Sequence, residues 1–357
     1  MTGLIERLGI SLPFIQAPMA GTSTPALAAA VSTAGALGSI AVGSVDAVTA
    51  RAMIEDLRQR TQCSFNVNVF THQPAKPDPA REQKWLKRLT PIFQAFDGEP
   101  PAYLREIYRS FCDDAAMVDL LVRTRPTVVS FHFGLPPEKV IARLKARGII
   151  LLASVTNLNE AIEAERAGID AVVAQGYEAG GHRGIFDPAA PDSQLGVTAL
   201  TRLLVRRLNI PVIAAGAVMD GAGIAAMLSL GAVAVQLGTA FIGCPESAAD
   251  AHYRAALFGS GAAATEMTAI LSGRPARSLP NRFTQLKENV LKALRPPDYP
   301  IAYDAAKALA ACARAKGEGG FAAQWAGQGA PLARAMPATE LVRVLAEELL
   351  AARAGKP

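Results

Sequence analysis

Asp170-Ala-Val-Val-Ala-Gln175-Gly-Tyr-Glu-Ala-Gly180-Gly-His-Arg-Gly-Ile-Phe186 is the stretch that decides how the chain reads. Ala171 to Ala174 form a short apolar run. A strand covered on both faces reads that way because neither side meets water. At Gln175 the chain turns polar, and Gly176, Gly180, Gly181 and Gly184 follow. Glycines past a strand end let backbone N–H groups come close to a ligand, since no Cβ intervenes. His182 sits in this loop beside Arg183. Two readings stay open at this point: a plain βα turn with an incidental histidine, or a strand handing the chain to a cofactor or substrate.

The same unit recurs on both sides. Eight apolar runs centre near Ile15, Ile40, Val67, Val129, Leu152, Val172, Ile213 and Val235. A helical pattern follows each, and this alternation predicts an α/β fold, a (β/α)8 TIM barrel. Such barrels carry their sites at the C-terminal strand ends, with a phosphate site after strands seven and eight. The seventh run breaks into Gly216-Ala-Val-Met-Asp-Gly221-Ala-Gly223, and the eighth into Gly238-Thr239-Ala-Phe-Ile-Gly243. Both clusters predict a cradle of backbone N–H groups for a phosphate; tight turns are the plainer alternative.

Pro13 to Gly21 reads as a strand ended by Pro18, which cannot donate to a ladder. Thr22 to Thr24 offer caps for a helix from Pro25 to about Thr33, with Gly35 as its stop. Val45 to Arg60 is amphipathic, with Ser44 as its cap. In Ser64 to Phe70, Asn66, Asn68 and Phe70 share one face. Buried amides need partners, so this face predicts a polar lining at the mouth of a site. His132 lies at the C-terminal end of the strand Val128 to Phe133, which Gly134 follows; a catalytic and a buried structural histidine are both consistent with that place.

Residues 71–126 are too long for a βα connection and start proline-rich, with helices predicted over Arg81–Leu89 and Tyr103–Phe111. Beyond Glu246 the predicted helices are Ala248–Phe258, Phe283–Ala293, Ala305–Ala315 and Ala338–Ala352. The expected organisation is therefore a barrel over 1–70 and 127–247, with the 71–126 insertion and a 248–357 helical subdomain forming a lid.

The 357 residues are half hydrophobic, enough for a large core. The charge is +5 and the pI about 9.1, but the basic residues are scattered without an aromatic-interleaved stripe. Nucleic-acid binding is not expected. Cys63, Cys112, Cys244 and Cys312 lie far apart, so neither a zinc site nor a redox pair is expected. The first ten residues lack a signal-peptide pattern and no run reads as a membrane span, which points to a reducing cytoplasm.

Five motifs in this order resemble the nitronate monooxygenase family, formerly called 2-nitropropane dioxygenase, in its class I branch. They are Gln16-Ala-Pro-Met-Ala-Gly21, Ser130-Phe-His-Phe-Gly-Leu-Pro136, Gln175-Gly-Tyr-Glu-Ala-Gly-Gly-His-Arg-Gly184, Ala214-Ala-Gly-Ala-Val-Met-Asp-Gly221 and Gln236-Leu-Gly-Thr239. The resemblance implies FMN at the barrel mouth, O2 as oxidant and no nicotinamide requirement. Alkyl nitronates such as propionate 3-nitronate would be oxidised to a carbonyl compound and nitrite or nitrate. By motif, Gln16, Ala17, Pro18 and Met19 would lie along the isoalloxazine ring, with Asn68 and Gln175 hydrogen-bonded to it. Gly180, Gly181, Gly216, Ala217, Gln236, Leu237, Gly238 and Thr239 would hold the ribityl phosphate. Ala217 departs from relatives that carry a second glycine there. His182 would be the base, with His132 as second candidate, and Tyr108, Tyr253, Tyr299, Tyr303 and Lys307 would close the substrate pocket. Lys307 would pair with a substrate carboxylate. An FMN-dependent NAD(P)H reductase of the enoyl-acyl carrier protein or quinone type is the alternative; a flavin-free phosphate-binding barrel and a non-catalytic flavin binder are further rivals. Monomer and homodimer are both open.

Overall fold

The computed structural model describes residues 3–355; Met1, Thr2, Lys356 and Pro357, which the expected domain spans include, lie outside them. The expected strands are all present: β1 (Phe14–Gln16), β2 (Gly38–Ala41), β3 (Phe65–Phe70), β4 (Val128–His132), β5 (Ile150–Val155) and β6 (Ala171–Gln175), then, after the two-residue β7 (Gly181–His182), β8 (Val212–Ala215) and β9 (Ala234–Leu237). The eight barrel strands pair in parallel in the order β1-β9-β8-β6-β5-β4-β3-β2. A parallel bridge between Ile15 and Leu37, with the Gln16 N–H donating to the Leu37 carbonyl at 2.9 Å, joins β1 to the β2 side. The chain forms a (β/α)8 TIM barrel.

Period-2 alternation sorts the strand side chains. Val67, Val69, Val129, Phe131, Leu151 and Val172 face outward onto the helices. Ile15, Leu152, Val173 and Ile213 fill the barrel's lower interior, and Leu4 and Leu8 of the helix Leu4–Leu8 plug its base. Above that plug the interior turns polar. Asn66 donates to Ser39 Oγ (3.2 Å) and Ser130 Oγ (2.9 Å), and Ser130 donates to Asn68 Oδ1 (2.8 Å). The two asparagines thus divide the work: Asn66 ties strands together and Asn68 reaches the cavity above.

The helix Pro25–Thr33 starts where expected, with Thr24 Oγ1 accepting the Leu27 N–H at 3.0 Å. The cap of the next helix, Ala47–Arg60, is Asp46 and not Ser44: the Asp46 carboxylate accepts the Thr49 N–H at 2.8 Å. In the 71–126 segment the helix Pro79–Gln94 forms, but Tyr103–Phe111 does not. Leu104, Tyr108 and Phe111 have helical spacing, yet each is buried in a different cluster, so the segment runs irregularly to reach all three. The helix Ala115–Thr124 then packs its Met117, Val118 and Leu121 into the outer barrel core.

Beyond the barrel, Phe283–Ala293 holds only a short 3-10 turn, Thr284–Glu288. A hairpin unforeseen in the sequence, β10 (Glu266–Thr268) and β11 (Ala276–Ser278), joins β7 in a three-stranded sheet. The helices Pro79–Gln94 and Ile301–Ala315 pack together over the barrel mouth through Trp85, Leu89, Phe93, Ile301, Ala305 and Leu309. The last helix, Ala338–Arg353, returns to the barrel and buries Leu341, Leu345 and Leu349 against Leu27, Ile224 and Met227. It occupies the ring position between the helices Gly221–Ser229 and Pro25–Thr33. No helix among the described residues is long and apolar enough to cross a membrane.

Candidate active site

A cavity of about 860 Å³ opens at the C-terminal ends of the barrel strands, under the lid helices. Ala17, Pro18, Met19 and Asn68 line one side, and Gln175, Gly180, Gly181, Gly216, Ala217, Gln236, Gly238 and Thr239 the other. His132, His182, Tyr108, Tyr253, Tyr299, Tyr303 and Lys307 border it as well. Residues from the whole length of the chain therefore converge, because every barrel strand ends there.

Two residues expected to touch the cofactor, Gln16 and Leu237, do not line the cavity. Gln16 is fully buried below the cavity; its amide donates to Ser23 Oγ at 2.9 Å and accepts the Ser39 N–H at 2.8 Å, which holds the Ala17–Met19 loop. Leu237 points into the helix-side core, and only its carbonyl serves the loop, accepting the Ala17 N–H at 2.8 Å. Gln175 does line the cavity, but its Nε2 donates to the His182 carbonyl (2.9 Å) and its Oε1 accepts the Gly184 N–H (2.7 Å). That glutamine staples the loop of β7 onto the end of β6.

The glycine side is a cradle. Gly216 has φ +135° and Ala217 φ +48°, so the chain leaves β8 in a sharp left-handed turn. Among the described residues, the N–H groups of Gly216, Ala217, Gly238 and Thr239 donate to no protein acceptor. Unpaired N–H groups gathered at strand ends suit a phosphate. Gly180 has a different reason to be glycine: a Cβ there would meet Gly327 N at 2.5 Å and Ala326 C at 2.6 Å, where the Trp325 loop crosses it. Thr239 Oγ1 ties the same loop by accepting the Gly327 N–H at 3.0 Å.

The opposite side is aromatic. The His182 ring lies 5.4 Å from Tyr299, 6.3 Å from Tyr303 and 5.0 Å from Trp325, centroid to centroid. Its Nε2 is 2.8 Å from Ser272 Oγ. His132 is set deeper, against Phe70 and Phe133, and its Nε2 is 3.1 Å from the His182 carbonyl. A carbonyl only accepts, so that nitrogen carries the proton. Burial pushes His132 down to about 4, the Arg274 charge adding to it, and burial, His132 and Arg274 push His182 down to about 3. Both are neutral imidazoles at neutral pH. Burial raises all four cavity tyrosines, Tyr303 to about 12, so each is a hydroxyl and not a phenolate. The Lys307 ammonium lies 4.9 Å above the Tyr108 ring and 5.5 Å from that of Tyr303, without an ion pair among the described residues.

Sequence reasoning missed Ser272, Arg274, Phe133 and Trp325. Trp325 is one of two tryptophans and sits in a glycine-rich segment, the one signal available for it. No group of histidines, cysteines and carboxylates among the described residues could hold a metal ion.

Fold and cavity together define a (β/α)8 barrel with its candidate site at the C-terminal strand ends, an N–H cradle on one side of the mouth and neutral histidines in an aromatic cage on the other. The family profile of nitronate monooxygenase matches residues 2–348. The chain is 57% identical to nitronate monooxygenase of Paraburkholderia phytofirmans, over 97% of this chain and 94% of that one. It is 55% identical to nitronate monooxygenase of Pseudomonas aeruginosa, over 98% and 99%. Nitroalkane oxidase from Streptomyces ansochromogenes superposes with a TM-score of 0.90 at 39% identity, covering 98% of this chain and 99% of that one. The chain belongs to the nitronate monooxygenase family, oxidoreductases whose general function is flavin-dependent oxidation of nitronates.

Proposed function

We propose that this protein uses FMN and O2 to oxidise short alkyl nitronates, propionate 3-nitronate among them, to a carbonyl compound and nitrite or nitrate. The observation that carries this reading is that neutral His182 and Lys307, which has no ion-pair partner among the described residues, border one aromatic-lined cavity. A nitronate is a small planar anion. The hydroxyls of Tyr108, Tyr299 and Tyr303, together with Lys307, offer donors to it, whereas the Tyr253 hydroxyl donates to the Trp325 carbonyl.

The residues present fit a flavin mononucleotide. The N–H groups of Gly216, Ala217, Gly238 and Thr239 would receive its phosphate. Asn68 keeps its Nδ2 free, because only its Oδ1 is engaged by Ser130, and that amide together with Ala17 to Met19 would border the ring. When bound, the flavin supplies the electron-accepting centre that no side chain here provides. The protein's own part is to bind, orient and manage protons. Lys307 draws in an anionic tail, the hydroxyls of Tyr108, Tyr299 and Tyr303 hold the nitronate oxygens, and His182 faces the carbon end. A pre-formed nitronate needs no base. A neutral nitroalkane does, and the neutral His182 ring has a lone pair to offer.

The test is oxygen uptake by the FMN-loaded protein with propionate 3-nitronate, ethyl nitronate, nitroethane and NADH in turn, with nitrite measured alongside. Oxygen uptake and nitrite release with the nitronates are the expected result. Oxygen uptake with NADH alone would support the reductase reading instead, and a protein that cannot retain FMN would remove the basis of both.

A further inference from the structure

His182 is gripped from behind by the hairpin of β10 and β11. Ala276 pairs with His182 across β11 and β7, and the Arg183 N–H donates to the Pro275 carbonyl at 2.8 Å. Ser272, on the same hairpin and 1% exposed, places Oγ 2.8 Å from His182 Nε2. That oxygen is also 3.1 Å from the Arg274 carbonyl and receives the Arg274 N–H at 3.3 Å. A serine hydroxyl has one hydrogen to give and two lone pairs to receive. Among the described residues the Arg274 carbonyl has no other donor, and buried carbonyls are rarely left without one. One arrangement satisfies every group. Ser272 donates to the Arg274 carbonyl and receives both the Arg274 N–H and the His182 Nε2–H. The lone pair of His182 then resides on Nδ1, which has no protein partner among the described residues and is not sealed from the cavity.

A second contact fixes the ring. Phe133 packs edge-to-face on His182 at 5.6 Å although its own φ is +81°, a conformation a bulky residue adopts only when its surroundings impose it. Arg274 packs on its ring: the guanidinium, 2% exposed and without a carboxylate partner among the described residues, lies 4.3 Å from the Phe133 ring. The same unpaired charge favours the neutral form of His182.

We infer that Ser272 is a positioning residue that holds His182 as the Nε2–H tautomer and so presents the Nδ1 lone pair to the substrate. With a neutral nitroalkane, the α C–H bond breaks, its electron pair stays on the substrate as the nitronate, and the proton passes to Nδ1. This rests on the nitronate-oxidising reading, with His182 as the base.

The test combines a spectroscopic and a kinetic readout on the FMN-loaded protein. In ¹⁵N-histidine-labelled protein, with His182 assigned by loss of its signals in His182→Asn, long-range ¹H–¹⁵N spectra show which ring nitrogen is protonated. Wild type and Ser272→Thr are expected to show protonated Nε2, and Ser272→Ala a mixture of tautomers. Turnover of nitroethane by Ser272→Ala is expected to fall by about 10- to 100-fold, within the range of general-base contributions, while ethyl nitronate turnover changes by less than about threefold. Ser272→Thr should restore most of the nitroethane rate. An unchanged tautomer in Ser272→Ala, or an equal fall for both substrates at equal flavin content, would overturn the inference. Should Ser272→Ala not fold, Ser272→Cys carries the same comparison, since a thiol is a weak acceptor. If wild type turns over neither substrate, the proposed function fails, and the spectra still decide whether Ser272 sets the tautomer.

Discussion

At the scale of single residues, the cavity assigns different tasks to groups that look alike. His132 spends its Nε2–H on the His182 carbonyl and so positions the loop, whereas the His182 ring stands in the cage with Tyr299 and Trp325. His182→Asn should therefore lower nitroethane kcat/KM by about 100-fold or more, with a much smaller effect on ethyl nitronate. His132→Asn should lower both together; the reverse pattern in steady-state kinetics would exchange their roles. Lys307 offers an exposed charge with no ion-pair partner among the described residues. Lys307→Met should raise KM for propionate 3-nitronate about 10- to 100-fold, the worth of a charge-assisted hydrogen bond, and leave that for ethyl nitronate nearly unchanged. Equal KM changes for both would show that the carboxylate binds elsewhere. The histidines stood out in the sequence because strand-end position and motif order point to them, and Lys307 because it follows Tyr299 and Tyr303 at a spacing of four. Ser272 did not: its partner His182 is 90 residues away, and only the hairpin brings them together.

At the scale of elements, the repeating strands were readable because parallel strands buried on both faces leave continuous apolar runs. The connections were less so. Leu104, Tyr108 and Phe111 mimic one face of a helix, but tertiary burial in separate clusters overrides the local pattern. The hairpin of β10 and β11 is too short to show period-2 alternation, with three residues in each strand. The return of the last helix to the barrel was hidden for another reason: its amphipathic face says that it packs, not where. Gly221 shows where. A Cβ there would meet Leu349 N at 2.2 Å and Glu348 C at 2.4 Å, and the Gly221 N–H donates to Glu348 Oε2 at 2.9 Å. Gly221→Ala should push that helix off the barrel and destabilise the protein by roughly 1–3 kcal/mol, the usual cost of overpacking. A denaturant midpoint equal to wild type would show that the contact yields easily.

At the scale of the whole molecule, three neutral histidines, His72 buried and His132 and His182 half-buried at the cavity wall, make the fold sensitive to acid. Burial, with the Arg274 charge, holds His72 to about 4, and His132 and His182 are held to about 4 and 3. In the unfolded chain each takes up a proton near pH 6.5. Below that pH the unfolded state binds more protons, so this stability is complete above about pH 6.5 and declines as pH falls toward 3–4. At pH 5 each histidine should have lost roughly 2 kcal/mol of stabilisation, at 1.36 kcal/mol per pH unit. Denaturant unfolding at pH 7.5 and 5.0 checks this, and equal stabilities would contradict it. The same neutrality leaves the cavity's positive charge to Lys307 and to Arg314, which pairs with Asp250 at 2.7 Å. The most direct test is to mix the FMN-loaded protein with propionate 3-nitronate in the absence of oxygen and follow the visible flavin absorbance. The account predicts rapid bleaching by the nitronate, recovery with nitrite release when oxygen is admitted, and no bleaching by NADH over the same interval. Bleaching by NADH and none by the nitronate would contradict it.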